Sequence, residues 1–154
     1  MSNQNTDSGW RQVNLWCDDW QAAEQMAVTQ LQPLLTEAED SKSSICWWFV
    51  RKGPSWRLRL RPADGGETAT AFVDRVTTAL MDQGAIRRWA EVVYEPEVHA
   101  FGGVAAMAVA HDLFSADSRH LLTDLPRAGP HRSPPRAGTA PGRPTPACRR
   151  AGLV

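Results

Sequence analysis

The residues best suited to chemistry form the run RLRLR at positions 57–61, in which three arginines alternate with two leucines. Period-two alternation predicts a half-buried strand, and successive side chains of a strand point to opposite faces. We therefore expect Arg57, Arg59 and Arg61 on one face. Arginine donates hydrogen bonds in a planar fork that matches a carboxylate or a phosphate. The run predicts an anion-binding face, and a solvated outer face is the alternative.

The arginine strand follows an aromatic run, and the turn KGPS at residues 52–55 predicts that the two form a hairpin. Two registers are open. If Arg51 pairs with Trp56, the three arginines share the face of Trp48 and Arg51 lies opposite. If Arg51 pairs with Arg57, all four guanidinium groups share one face, because a slip of one residue inverts the assignment. Trp56, at the mouth of the hairpin, is a candidate pocket residue.

A second constellation is the loop sequence YEPEVHAFGG at residues 94–103. His99 is a candidate general acid or base because an imidazole titrates near neutrality, and Glu95 or Glu97 could orient it. The paired glycines Gly102 and Gly103 open a predicted helix, whose N-terminus can receive an anion. The alternative is a loop that is merely solvated.

Composition excludes several classes of protein. The 154 residues have a formal net charge of zero, but the segment from residue 126 onward carries six arginines and no acid, so the rest of the chain is net acidic. Sequence-independent nucleic-acid binding needs a cationic surface, so we expect no nucleic-acid partner. The cysteines show no metal-ligand spacing, and no cofactor is predicted. A polar start and no long apolar run predict a cytoplasmic protein without a membrane span.

The hydrophobic pattern predicts one domain with the order β-α-β-β-α-β, typical of an α+β, ferredoxin-like sandwich. A helix capped by Asp18 or Asp19 is expected to kink or end at Pro33. The predicted strands are 10–16, 45–51, 57–61 and 86–94, the second core helix is 67–83, and two further helices cover 104–114 and 117–125.

The segments at the two ends differ from this domain. Residues 1–8 are predicted to be a disordered leader, and residues 9–125 the domain. Residues 126–154 hold seven of the eleven prolines and few large apolar side chains, so we predict a disordered tail. Its abrupt onset suggests a truncated or frameshifted chain, and a basic arm for an acidic partner is the alternative.

Three ordered motifs carry a family resemblance: WWFVRKGPSWRLRLR at 47–61, YEPEVHAFGG at 94–103 and HDLFSADSRHLL at 111–122. Together they resemble the thiopeptide-type bacteriocin biosynthesis domain, which also forms the C-terminal elimination part of lantibiotic dehydratases. Three departures stand out. Trp56 replaces a frequent histidine, Ala100-Phe101 replaces Arg-Tyr, and the tail, with His131 alone, replaces helices that supply a catalytic histidine.

The resemblance implies modification of a ribosomally made peptide. In full dehydratases the domain removes glutamate from a glutamylated Ser or Thr of a precursor peptide, which leaves a dehydroamino acid. Stand-alone relatives join two dehydroalanines into a pyridine ring. By position, Arg51 matches the arginine that closes the first motif, and Arg57 and Arg59 match those of the second. Glu97 matches the second glutamate of the loop motif.

We therefore predict a protein of lanthipeptide or thiopeptide biosynthesis that performs glutamate elimination on a precursor peptide. The alternatives are a non-catalytic module that binds a peptide or a separate glutamylating dehydratase subunit, a relative of the pyridine-forming enzymes, and a truncated pseudogene product. The predicted catalytic residues are Arg51, Arg57 and His99, and the predicted substrate-binding residues are Arg59, Arg61, Trp56, Glu97, Gly102 and Gly103.

Overall fold

The computed structural model describes residues 9–40, 45–53, 55–62 and 68–125. The predicted leader at 1–8 and the predicted tail at 126–154 lie outside these residues. Within these residues there are four strands and four α-helices, and a π-helical segment, Ala27–Leu31, joins the first two helices. Their bounds are β1 Arg11–Trp16, α1 Trp20–Met26, α2 Gln32–Asp40, β2 Ile45–Lys52, β3 Ser55–Pro62, α3 Ala69–Asp82, β4 Arg88–Val92 and α4 Val104–Asp124.

The strands form one antiparallel sheet in the order β2-β3-β1-β4. The predicted α+β class and β-α-β-β-α-β order are confirmed. On one face of the sheet the strands pack with α1, α2 and α3 in the main core. Its largest fully buried side chains include Trp56, Phe72, Leu15, Leu31, Leu35, Leu58, Leu60, Leu80 and Leu122.

Local chemistry explains where the core helices begin. Asp19 accepts a hydrogen bond from the Ala22 amide at 2.8 Å and caps α1, as predicted. Thr68 caps α3 in the same way, so this helix begins at Ala69, two residues later than the predicted start. β4 is shorter than predicted, since the pairing of residues 86–94 with β1 covers only Arg88–Val92.

Pro33 does not end the first helix, and that part of the prediction is corrected by the structure. The helix continues through Pro33 to Asp40, and the π-helical segment Ala27–Leu31 lies directly before it. Proline lacks an N–H and its ring crowds the carbonyl four residues earlier. A π turn shifts the hydrogen bonding to i→i+5. The wider turn therefore lets the chain absorb a proline without ending the helix.

α4 is one continuous helix of 21 residues, where two short helices were predicted. Ser118, which has a residue type typical of a helix cap and stands at the start of the second predicted helix, lies inside α4, and its hydroxyl accepts a hydrogen bond from the Phe49 amide at 3.1 Å. Phe49 belongs to β2, one of the two edge strands of the sheet. The serine that resembled a helix cap therefore caps a strand edge, which is one way in which proteins protect an edge from unwanted pairing.

Glu39 of α2 links α4 to the sheet through two hydrogen bonds. It accepts hydrogen bonds from Trp47 Nε1 at 2.7 Å and from Arg119 Nε at 2.6 Å, so it joins α2, β2 and α4. Within the described residues, no helix has the length and apolar character needed to cross a membrane.

Replacing Ser118 with alanine should lower the free energy of unfolding by about 1–3 kcal/mol, because the Phe49 amide would stay buried without an acceptor. Ser115→Ala is the matched control. Ser115 is equally buried on the same helix, but its hydroxyl has no hydrogen-bond partner among the described residues. Urea unfolding should show a small or favourable change for Ser115→Ala, and equal losses in the two variants would contradict the edge-capping role.

Candidate anion-binding cavity

The register of the hairpin places the three arginines of β3 on one face. Arg51 pairs with Trp56, so the first of the two open registers is the one observed. Arg57 and Arg59 lie between Asn14 and Gln12 of β1 and Val50 and Trp48 of β2. This face lies opposite the main core, and we call it the arginine face.

A cavity of about 670 Å³ lies between the arginine face, the loop after β4 and α4. Four of the predicted site residues line it: Arg51, Arg57, Arg59 and Glu97. The others, Trp56, Arg61, His99, Gly102 and Gly103, are not among its lining residues. Its other walls are aromatic, apolar and acidic, with Trp48, Tyr94, Phe101, Met107, Phe114, Leu121, Glu95 and Asp117 among them.

Arg59 is held in a fixed position. Its guanidinium carbon lies 4.3 Å from the Trp48 ring centre and 4.6 Å from that of Tyr94, so the group contacts two aromatic rings that stand nearly perpendicular to each other. Arg59 Nε donates a hydrogen bond to Gln12 Oε1 at 2.7 Å. Gln12 is itself buried and donates to Asn14 at 3.0 Å. Three contacts therefore fix the guanidinium plane.

The electrostatics around Arg59 are those of a partly buried cation. Burial lowers the pKa of Arg59 from its ordinary value, and the neighbouring Arg57 lowers it further, while Tyr94 and Glu97 oppose the shift. Burial also raises the pKa of Tyr94. The arginine side chain stays charged in proteins, so the cavity wall holds a cation in a poorly solvated place. A ligand carboxylate would interact strongly with it.

Arg57 differs from its neighbour because its Nε atom is buried with no hydrogen-bond partner among the described residues. Within the same part of the chain, no carboxylate lies within ion-pair distance of either Arg57 or Arg59. Buried donors in proteins are nearly always paired, so an unpaired one requires an explanation. A bound anion would supply the missing acceptor.

Arg51 and Trp56 face the side of the sheet opposite the arginine face, although Arg51 is one of the residues that line the cavity. Arg51 Nη1 is 3.0 Å from Glu24 Oε1 of α1, and its guanidinium carbon is 5.7 Å from the Trp20 ring centre. Trp56 is fully buried in the main core and stacks on Phe49 at 4.5 Å. The structure therefore does not bring Trp56 to the cavity, because adjacent residues on a strand face opposite ways. Arg51 already has a carboxylate partner, and its catalytic role stays a prediction.

Arg61 also lies outside the cavity, although it is on the arginine face. Its guanidinium carbon is 5.2 Å from the Trp10 ring centre. Trp10 forms a small second core with Cys46 and Trp48, against which Val50, Tyr94 and Phe114 pack. Arg61 therefore covers this aromatic cluster at the far end of the strand.

The glycine pair that opens α4 has an architectural role. Gly102 and Gly103 have φ angles of 86° and 113°, in the region that favours glycine. Their amides are already used in the loop: Gly102 donates to the His99 carbonyl at 3.2 Å and Gly103 to the Val98 carbonyl at 2.8 Å. These two amides are therefore not free to donate to an anion at the start of α4, where the sequence predicted an anion-binding site. His99 itself lies exposed on the turn that they close.

Sequence reasoning missed His111, to which it assigned no role. This histidine is buried on the inner side of α4, and its Nε2 lies 2.9 Å from the Tyr94 hydroxyl. Burial, with the charges of Arg61 and Arg59, lowers the pKa of His111 to about 4. A neutral imidazole nitrogen can accept a hydrogen bond from the Tyr94 hydroxyl. The signal was available, since His111 shares a helical stripe with the buried Met107 and Ser115.

The fold and this cavity define an α+β sandwich domain in which one sheet face packs on helices and the other presents arginines to a pocket. The chain belongs to the family described as lantibiotic biosynthesis dehydratase C-term, which it matches over residues 10–140. The match confirms the family resemblance of the sequence motifs.

One solved relative has the same fold. The tRNA-dependent lantibiotic dehydratase MibB from Microbispora sp. 107891 is similar with a TM-score of 0.58 and 19% sequence identity. The match covers 86% of this chain and 14% of the MibB chain. At this identity the similarity shows a shared fold. No curated protein is significantly similar to the chain.

His111 should make stability depend on pH. Its pKa falls from 6.5 to about 4 on folding, so the unfolded chain binds the extra proton first as the pH drops. Stability should therefore decline from pH 6.5 down to about 4 and be unaffected by this group above 6.5. His111→Gln keeps an acceptor for Tyr94 but cannot titrate. Urea unfolding at several pH values should show a shallower decline for this variant than for the wild type, and identical slopes would contradict the assignment.

Proposed function

We propose that this domain removes glutamate from glutamylated Ser or Thr residues of a precursor peptide. The observation that carries the proposal is the pair Arg57 and Arg59, which line one cavity and have no carboxylate partner among the described residues. Two such cations suit a ligand that carries carboxylates. Membership of the dehydratase family supports a peptide as the molecule that bears them.

The elimination consists of three bond changes. A base takes the α-proton of the glutamylated residue, the Cα=Cβ double bond forms, and the Cβ–O bond breaks so that glutamate leaves as a carboxylate. Arg59, stacked and hydrogen-bonded in place, would hold one carboxylate of the glutamyl group without reorganisation. Arg57, whose Nε atom lacks an acceptor, would stabilise the charge that develops on the leaving oxygen.

The third participant in the reaction is the base that takes the α-proton. His99 is the candidate from the sequence, and it lies on the exposed turn two residues after Glu97. Since His99 is not a lining residue, a second candidate function is a module of a split dehydratase that binds the glutamylated peptide without turning it over.

Arg57→Gln should lower kcat/KM for glutamate elimination between tenfold and about a hundredfold, because a hydrogen bond to a charged group contributes about 1.5–3 kcal/mol. Mass spectrometry of a glutamylated precursor peptide measures the loss of the glutamyl group. Arg87→Gln is the control. Arg87 is an exposed arginine that pairs with Asp18 and does not line the cavity, so its activity should be that of the wild type.

The same assay separates the two candidate functions. Glutamate release by the wild type supports elimination. Binding of the glutamylated peptide that is weakened by Arg57→Gln, with no release by any variant, supports the binding module. Equal behaviour of Arg57→Gln and Arg87→Gln in both binding and release would contradict both functions.

A further inference from the structure

The two edges of the sheet are treated differently. The β2 edge is covered by α4. The Ser118 hydroxyl of this helix accepts a hydrogen bond from the Phe49 amide. The β4 edge pairs with β1 on its inner side, and among the described residues no helix packs along its outer side. An uncovered edge presents backbone N–H and C=O groups that can pair with another extended chain.

The side chains of β4 do not protect this edge as edge residues often do. Charged groups commonly block strand addition. Here Arg88 lies over the Trp16 ring at 4.0 Å, and Glu91 forms an ion pair with Arg11, so both charges are held against the neighbouring strand. The large apolar residues that stay exposed are Trp89, Val92 and Val93, at 37%, 37% and 84% of their full accessibility.

Two rows of side chains run across the sheet from this edge to the arginines. One row is Val92, Gln12, Arg59 and Trp48, on β4, β1, β3 and β2 in turn. The next row is Ala90, Asn14, Arg57 and Val50. Both rows lie on the arginine face. The residue beside the edge in each row is small or apolar, so neither row places a charge between the edge and the guanidinium groups.

We propose that the β4 edge binds an extended segment of the peptide substrate as a fifth strand. The inference rests on the proposed function and adds how the peptide is held. Three strand spacings separate the added strand from β3, roughly 14 Å. An extended glutamyl ester on serine reaches roughly 9 Å from the serine Cα, and an arginine side chain reaches roughly 6–7 Å. The glutamyl group of a residue on the arginine face therefore reaches Arg57 across Ala90 and Asn14.

Continuity of the chain argues for the substrate as the occupant. β4 leads without interruption into Val93, Tyr94 and Glu95, which line the cavity. A strand added along β4 would thus end beside the cavity mouth. A second copy of the chain at this edge would use the same backbone groups but would bring no glutamyl group to the arginines.

The test uses a seven-residue acetylated peptide of alternating Thr and Val with a central diaminopropionate that carries a glutamyl amide, which cannot be eliminated. Two further peptides are N-methylated at alternate residues, one at the odd and one at the even positions. In a strand only one of these sets faces β4. One methylated peptide should bind at least tenfold more weakly than the parent, and the other within about twofold.

The outcomes separate this inference from the proposed function. Binding that depends on Arg57 but responds equally to both methylation patterns would overturn strand addition and leave the function standing. Parent-peptide binding that is the same in wild type and Arg57→Gln would count against the function itself.

Hydrogen exchange gives an independent readout. The peptide should protect amides of Arg88–Val92 and leave those of the covered β2 edge unchanged. Protection of β4 that rises with protein concentration in the absence of peptide would identify a second copy as the occupant and would overturn the proposal.

Discussion

The alternation of side chains along β3 is the constraint on which the rest of the structure depends. Trp56, Leu58 and Leu60 are buried in the main core, and Arg57 and Arg59 therefore face the opposite way. β3 is an inner strand with β2 on one side and β1 on the other, so its two faces organise both layers of the domain. The hydrophobic core and the arginine face are consequences of one five-residue pattern.

The second layer is built around the guanidinium of Arg59. Cations are costly to bury unless they are paired or stacked. Here the cost is offset by two aromatic rings and by the side-chain oxygen of Gln12, and among the described residues no hydrogen bond occupies the outer nitrogens of the group. Tyr94 is held in turn by the neutral His111 of α4. The geometry of the arginine face thus depends on a helix that is distant from it in sequence.

Local patterns in the sequence predicted much of this arrangement. The RLRLR alternation, the hairpin and the order of elements were readable because each depends on neighbours in the chain. The register of the hairpin could not be predicted from the sequence, since both possible pairings of Arg51 satisfy the same alternation. The continuity of α4 was also missed. Asp117 and Ser118 have the residue types of a helix cap, and the contact that gives Ser118 another use, with Phe49, is 69 residues away.

The covered β2 edge has a consequence for assembly. A sheet with two open edges can add copies at both sides and grow without limit, whereas closed symmetry needs one self-complementary contact. In the described part of the chain α4 removes one of the two edges, so pairing between copies through the sheet could only be β4 to β4. Such a contact uses the same edge on both partners and ends with a twofold pair. Among the described residues, Ser118 and its helix therefore favour closed pairs over open growth in any edge-to-edge association.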